Sequence, residues 1–223
     1  MLFQRLLNLR DAEPHEAALN MAIDEVLLQR VEESGPVLRV YRWTRLAVSM
    51  GYFDRLAEAE KLAGGREVVR RWTGGGLVEH GADLTYTLIV PRDHALCAQS
   101  AAESYRLIHE AMAPWLREAV GQRVAVAAQA MAKVSAACFE NPVQYDLVAG
   151  EEKLAGAAQR RTRWGLLHQG SIQGLGSADG PAERLARVLA EEISEGELTS
   201  AVVKEAEQLV QERYGTAEWL RKW

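Results

Sequence analysis

Three consecutive glycines follow two arginines in the segment Arg70-Arg71-Trp72-Thr73-Gly74-Gly75-Gly76-Leu77-Val78-Glu79-His80. Glycine removes the side chains, so a ligand can approach the main chain closely and N–H groups can face it, while Arg70 and Arg71 bring positive charge. Such a loop suits a carboxylate, a phosphate or a developing oxyanion. It matches neither the Walker A pattern nor the dinucleotide GxGxxG pattern, whose spacings are missing. His80 and Asp83, three apart, suit either an oriented base or a structural hydrogen bond that pins the loop. Cys138 falls in a loop-like stretch over 135–142. A lone cysteine is more often a small buried hydrophobe, but a cation raises its thiolate fraction, and Lys153 on the following strand is a candidate neighbour. Lys153 opens Lys153-Leu154-Ala155-Gly156-Ala157-Ala158-Gln159, a run of small side chains. Such a run serves either close packing of a helix on a sheet or a groove for a thin ligand such as an alkyl chain. Cys97 reads as a small hydrophobe.

Holding these residues requires strands before and after the glycines. Val37 to Trp43, Ala47 to Tyr52, Glu67 to Trp72 and Leu84 to Val90 are rich in β-formers, the last stopping at Pro91. Tyr145 to Val148, a polar turn carrying Gly150, and Lys153 to Ala158 read as a hairpin, with a further strand over Leu166 to Gln173. Apolar residues at helical spacing predict a helix over about 17–32, with Asn20, Asp24, Glu25 and Arg30 on its polar side. Tyr105 to Trp115 predicts a second helix disturbed near Pro114, Pro181 opens a third, and Val202 to Val210 marks the last. The acidic stretch Glu191 to Glu197 reads as a solvated loop. Strands joined by hairpins and clustered helices, without regular βα alternation, indicate an α+β fold with a mixed, largely antiparallel sheet flanked by helices.

The 223 residues suit a single domain over 1–223. At 48% hydrophobic and 26% charged the chain is of ordinary globular composition, which excludes disorder, collagen and coiled coil. A net charge of −5 argues against nucleic acid as a partner. Two cysteines make neither a disulfide framework nor a four-cysteine zinc site and fit a reducing compartment. The N-terminus lacks signal-peptide features and no apolar run is long enough for a membrane span, so a cytoplasmic location is expected.

Four segments together resemble the lipoate-protein ligase and octanoyltransferase superfamily. Asn20-Met21-Ala22-Ile23-Asp24-Glu25 is similar to its first-helix signature, and Arg42-Trp43 with Ala47 to Tyr52 to its W…VSxGxxQ strand pair. Arg70 to His80 resembles RRxTGGGxVxH, and Lys153 to Arg160 with His168-Gln169-Gly170-Ser171 resembles the KxxGxAQxR…HxGS block. The resemblance implies an acyltransferase domain of the lipoate/biotin ligase type. In it Lys153 contacts the acyl carbonyl, and Arg70 with Gly74, Gly75 and Gly76 lines the headgroup end of a tunnel for an octanoyl or lipoyl chain. Thr73, His80, Gly156, Ala157, His168 and Gly170 are the other matched positions expected to bind substrate. Cys138-Phe139, Pro142, Tyr145 and Asp146 are similar to the CFxxPxxYE loop of the cysteine-dependent branch, and a C-terminal accessory domain is not expected. Both features imply transfer from a thioester rather than activation with ATP. Trp72 stands where the family often has proline or a small residue.

Three functions are then to be distinguished. Cys138 and Lys153 would serve an octanoyl- or lipoyltransferase. It would act between an acidic carrier protein and the lysine of a lipoyl domain or a glycine-cleavage H protein, with no metal or cofactor required. Alternatively the chain is the large domain of an ATP- and magnesium-dependent ligase that needs a separate accessory subunit, or a non-catalytic protein that binds lipoyl domains. Arg160, Arg161 and Arg163, if near Arg70 and Arg71, form a basic patch for the acidic carrier.

Overall fold

The structure, a computed structural model, describes residues 1–130, 141–175 and 180–223. In chain order its elements are β1 (Phe3–Arg10), α1 (Ala17–Gln29), α2 (Val31–Ser34), β2 (Val37–Tyr41), β3 (Ala47–Met50), α3 (Leu56–Ala63), β4 (Glu67–Arg70) and β5 (Val78–His80). There follow β6 (Leu84–Pro91), α4 (Ala95–Ala98), α5 (Ala101–Val120), β7 (Ala125–Val126), β8 (Leu147–Ala149), β9 (Glu152–Arg161) and β10 (Gly165–Ile172). The chain closes with α6 (Pro181–Leu189), β11 (Ala190–Glu197), α7 (Ser200–Leu209), a π-helical turn Val210–Tyr214 and α8 (Ala217–Leu220).

A large mixed sheet runs in the order β11-β1-β2-β6-β10-β9-β8-β7, and a small one in the order β4-β3-β5. β1 is parallel to β2 and β11; from β2 through β7 every pairing is antiparallel. The expected α+β class and largely antiparallel sheet are what the structure has.

Alternation along the central strands sorts the site's residues onto two faces. Arg39 pairs with Thr87, Gln169 with Thr87 and Ala158, and Ser171 with Thr85 and Gly156, so these side chains share one face. That face meets α1: Thr87 Oγ1 and Gln169 Nε2 both donate to Asp24 Oδ2, at 2.6 and 2.8 Å. The opposite face carries Leu38, Tyr86, Leu88 and Leu166, packed with Ile108, Met112 and Leu116 of α5 and Leu185 and Leu189 of α6 into the main core. α5 begins where Ser100 Oγ accepts from Glu103 N and ends at Gly121, left-handed at φ 66°. It runs through Pro114 as one helix.

Three readings are corrected or extended. The polar side of α1 is not solvated, because Asn20, Asp24 and Glu25 are buried and each has a partner. Arg39 reaches Asp24 Oδ1 (2.6 Å) and Asn20 Oδ1 (2.7 Å), while Arg213 and Tyr214 take Glu25. A buried carboxylate persists only when paired in this way. Glu191 to Glu197 is not a loop between helices but lies in edge strand β11, its acids meeting Gln4, Arg5 and Asn8 of β1. Charge on an edge strand keeps its free side from pairing with another chain. The N-terminal segment, read only as lacking signal features, is the parallel strand β1.

Candidate functional site

The glycine loop leaves β4 and is tied to the strand beside it. Tyr52 N donates to Thr73 O (2.8 Å) and Arg71 N to Met50 O (2.9 Å). A Cβ on Gly51 would lie 1.9 Å from Gly75 O, so the two backbones touch and only glycine fits there. Gly75 is left-handed, at φ 86°. Arg71 sits under the loop: Nη1 donates to Ser49 O (2.9 Å) and Oγ (2.6 Å), and Nη2 to Gly74 O (3.0 Å) and Gly76 O (2.8 Å). Among the described residues nothing accepts from the N–H groups of Gly74, Gly75 or Gly76. Thr73 Oγ1 donates to Gln169 Oε1 (2.8 Å), joining the loop to β10 and through Gln169 to Asp24.

Between loop and large sheet lies a narrow slot. Its large-sheet wall is Gly156, Ala157, Ala158, Gln169, Gly170 and Ser171; Gly75, Arg71, Ser49, Val78 and His80 face it, with Met21, Tyr41, Trp43 and Thr85 completing the enclosure. Glycine and alanine on β9 leave the space open, and the apolar and aromatic lining with few polar groups is that of a small-molecule site. Trp43 stacks on His80 with centroids 4.1 Å apart and donates from Nε1 to Thr85 Oγ1 (2.7 Å). His80 Nδ1 meets Asp83 Oδ2 at 2.8 Å and Nε2 meets Ser49 Oγ at 2.6 Å. Burial pushes the imidazole below its ordinary value despite the Asp83 carboxylate. Burial also acts to raise Asp83, but bonds from His80, Ser171 and Gly81 outweigh it and hold the carboxyl down. A neutral imidazole with its proton on Nδ1 therefore faces an ionised Asp83.

Lys153 is buried, and its Nζ lies 2.8 Å from Asp146 Oδ2. Its head lies over Gly156, where a Cβ would stand 2.4 Å from Cε and 2.6 Å from Nζ. The ammonium therefore abuts the slot wall because residue 156 has no side chain. Asp146 is held in turn by Tyr105 Oη (2.5 Å) and Val143 N (2.7 Å), and Tyr105 Oη accepts from Ala157 N (2.8 Å). Tyr145, just before it, has φ 73°, and its carbonyl accepts from His109 Nδ1 (2.7 Å). A non-glycine residue there is strained and is held by its surroundings.

The expected positions divide as follows. Gly75, His80, Gly156, Ala157 and Gly170 line the slot. Gly74 and Gly76 give carbonyls to Arg71, Thr73 braces the loop, and Lys153 abuts the wall at Gly156. Arg70 is not at the slot. Its guanidinium is buried among the carbonyls of Gly51, Tyr52, Asp54, Trp219 and Leu220, and clamps the C-terminal segment. Neighbouring residues at a strand end point to opposite sides, and Arg71 is the one turned to the loop. His168 lies on the α5 face, between Tyr86 Oη (3.1 Å) and Gln159 Nε2 (3.0 Å), its imidazole held well below the ordinary range by burial and by His109. Cys138 lies outside the described residues. Of the basic trio, Arg160 donates to Trp72 O beside the loop, Arg161 to Cys97 O and Ser100 O, and Arg163 lies over Trp164, so they form no joint patch with the loop. Cys97 Sγ donates to Pro91 O, away from the slot.

Reading the sequence did not single out Ser49, Gln169, Asp146 or Tyr105. Asp146 stood only as a letter of the cysteine-loop pattern, and the alternation of β10 is the signal that opposes Gln169 to His168. Among the described residues no cluster of metal-ligating side chains occurs, and no helix is long and apolar enough to cross a membrane.

The structure is a mixed sheet with a small second sheet, bearing a braced glycine loop opposite a lysine-flanked slot. The chain belongs to the lipoyl protein ligase A/B catalytic domain family, whose profile matches residues 16–212. The octanoyltransferase LipM of Oceanobacillus iheyensis is 37% identical over 166 residues, covering 71% of this chain and 60% of that protein. That of Carboxydothermus hydrogenoformans is 39% identical over 163 residues, covering 70% and 60%. The chain thus spans about 60% of the length of these curated relatives. Protein Ta0514 of T. acidophilum, solved with bound lipoic acid, shares the fold at a TM-score of 0.75 and 22% identity, with 99% of each chain covered.

Proposed function

We propose that this chain moves an octanoyl group from a carrier-protein thioester to a lysine of a lipoyl domain or an H protein, with Cys138 carrying the acyl group between them. The Cys138 thiolate adds to the thioester carbonyl, and the carrier's thiolate leaves, so one C–S bond replaces another at little cost in free energy. The target amine then adds to the new thioester, loses a proton, and releases the Cys138 thiolate as the amide forms. Lys153 supplies positive charge to the carbonyl oxygen, and the N–H groups of the glycine loop are the donors available to the tetrahedral oxyanion. The octanoyl tail occupies the slot between Gly75 and Gly156.

The observation that carries this reading is the Lys153 ammonium lying against Gly156, on the wall of an apolar slot faced by a glycine loop. The two LipM relatives are octanoyltransferases, which supports the octanoyl group as cargo and transfer without ATP. The test is incubation of the chain with an octanoyl-carrier thioester and a lipoyl domain, without nucleotide. Gain of one octanoyl group on the domain's lysine is expected. Modification that requires ATP and free acid would instead identify a ligase.

A further inference from the structure

The side chains of Asp83, His80, Ser49 and Arg71 form an unbroken hydrogen-bonded chain from the large sheet to the glycine loop. Asp83 is fixed at the first end by Ser171 Oγ of β10 (2.6 Å), Thr85 Oγ1 of β6 (2.9 Å) and Gly81 N (3.0 Å). It accepts from His80 Nδ1, whose Nε2 accepts from Ser49, whose Oγ accepts from Arg71. Arg71 ends the chain on Gly74 O and Gly76 O. Ser49, His80 and Arg71 are 0%, 6% and 6% exposed, so the links lie where water does not compete for them.

We propose that Ser49 and His80 are positioning residues for acyl transfer, which hold the glycine loop, through Arg71, at a fixed distance from the large-sheet wall. The proposal rests on the transfer reading above. The slot's two walls belong to different sheets: Gly156 and Gly170 to the large one, and Gly75 to a loop carried by the small one. A shift of one sheet against the other would move the loop donors from the acyl carbonyl, and the Asp83-to-Arg71 chain opposes that shift. The order of contacts is also that of a serine nucleophile with its base. Against that role, the Ser49 oxygen already accepts from Arg71. Attack on a carbonyl would take its proton and displace the guanidinium that holds the loop.

The test is steady-state octanoyl transfer to a purified lipoyl domain by the full chain, with Asp83→Asn and Ser49→Ala. Asp83 does not line the slot; its bonds go to His80, Gly81, Thr85 and Ser171. Each variant is expected to lose about tenfold to hundredfold in kcat with the KM for the donor nearly unchanged, the scale of a misplaced reacting group. The double variant is expected to be no worse than the poorer single one, because either change breaks the same chain. If Ser49→Ala fails to fold, Asp83→Asn and His80→Gln carry the comparison, with thermal unfolding followed alongside. Variants as active as the wild type, losses confined to KM, losses that multiply, or an octanoyl ester on Ser49 would overturn the proposal. Wild-type protein that transfers from no donor would overturn the transfer reading as well, and so is told apart from failure of the relay alone.

Discussion

Gly156→Ala separates activity from stability at the site. The added Cβ would stand 2.4 Å from Lys153 Cε, 2.6 Å from Nζ and 3.1 Å from Asp146 Oδ1. Ordinary contact between such atoms is about 3.5 Å, so the ammonium must retreat by roughly 1 Å. The atoms in the way are the far end of a flexible side chain, which can swing aside, so the stability cost stays near the low end of the overpacking range, about 1 kcal/mol. The chemistry is less forgiving. A displacement of that size at a reacting group costs about a hundredfold in rate, or roughly 2.7 kcal/mol of barrier. The assay is single-turnover octanoyl transfer with the denaturation midpoint measured on the same preparation. A rate within twofold of wild type in a folded protein would refute the claim that Lys153 works from its place over Gly156.

Gly51→Ala gives the opposite balance, because its Cβ would fall 1.9 Å from a main-chain oxygen, Gly75 O, which cannot swing away. The variant is expected to lose about 3 kcal/mol of stability in denaturant unfolding, the upper part of the overpacking range, and activity with it. Acid stability depends on His109, whose imidazole burial pushes down to about 4 against the opposing pull of Asp146. Between pH 6.5 and 4 the unfolded chain takes up a proton that the folded one refuses. Stability is therefore full above pH 6.5 and falls as pH drops through that window, by about 3 kcal/mol for this one group. His109→Gln should remove that part of the slope in denaturation midpoints measured across the window; an unchanged slope would show that His109 does not titrate this way.

Most strands were legible because their apolar and β-branched runs are bounded by glycine, proline or polar turns: Leu84 to Pro91 and the hairpin around Gly150 fall where the pattern puts them. β1 escaped because Phe3, Leu6, Asn8 and Leu9 are its buried residues, which is not a two-residue alternation. β11 escaped because an exposed acidic edge has the composition of a loop. At the site, motif spacing named segments that meet at the slot, with Gly75, His80, Gly156, Ala157 and Gly170 in its lining, but not which of two neighbouring side chains faces it. Choosing Arg71 over Arg70, or Gln169 over His168, requires knowing which face of a strand the slot occupies, and a one-residue step reverses that. Burial of Asp24 was hidden for a related reason: a carboxylate looks solvated until the arginine that neutralises it, 15 residues on, is brought beside it.

Intact-protein mass spectrometry after brief exposure to an octanoyl-carrier thioester tests the covalent step itself. The expected result is one octanoyl group on the wild-type chain, mapped by digestion to Cys138, absent from Cys138→Ser and discharged on adding a lipoyl domain. An unmodified wild-type chain that still octanoylates the domain, or an adduct that survives in Cys138→Ser, would contradict it.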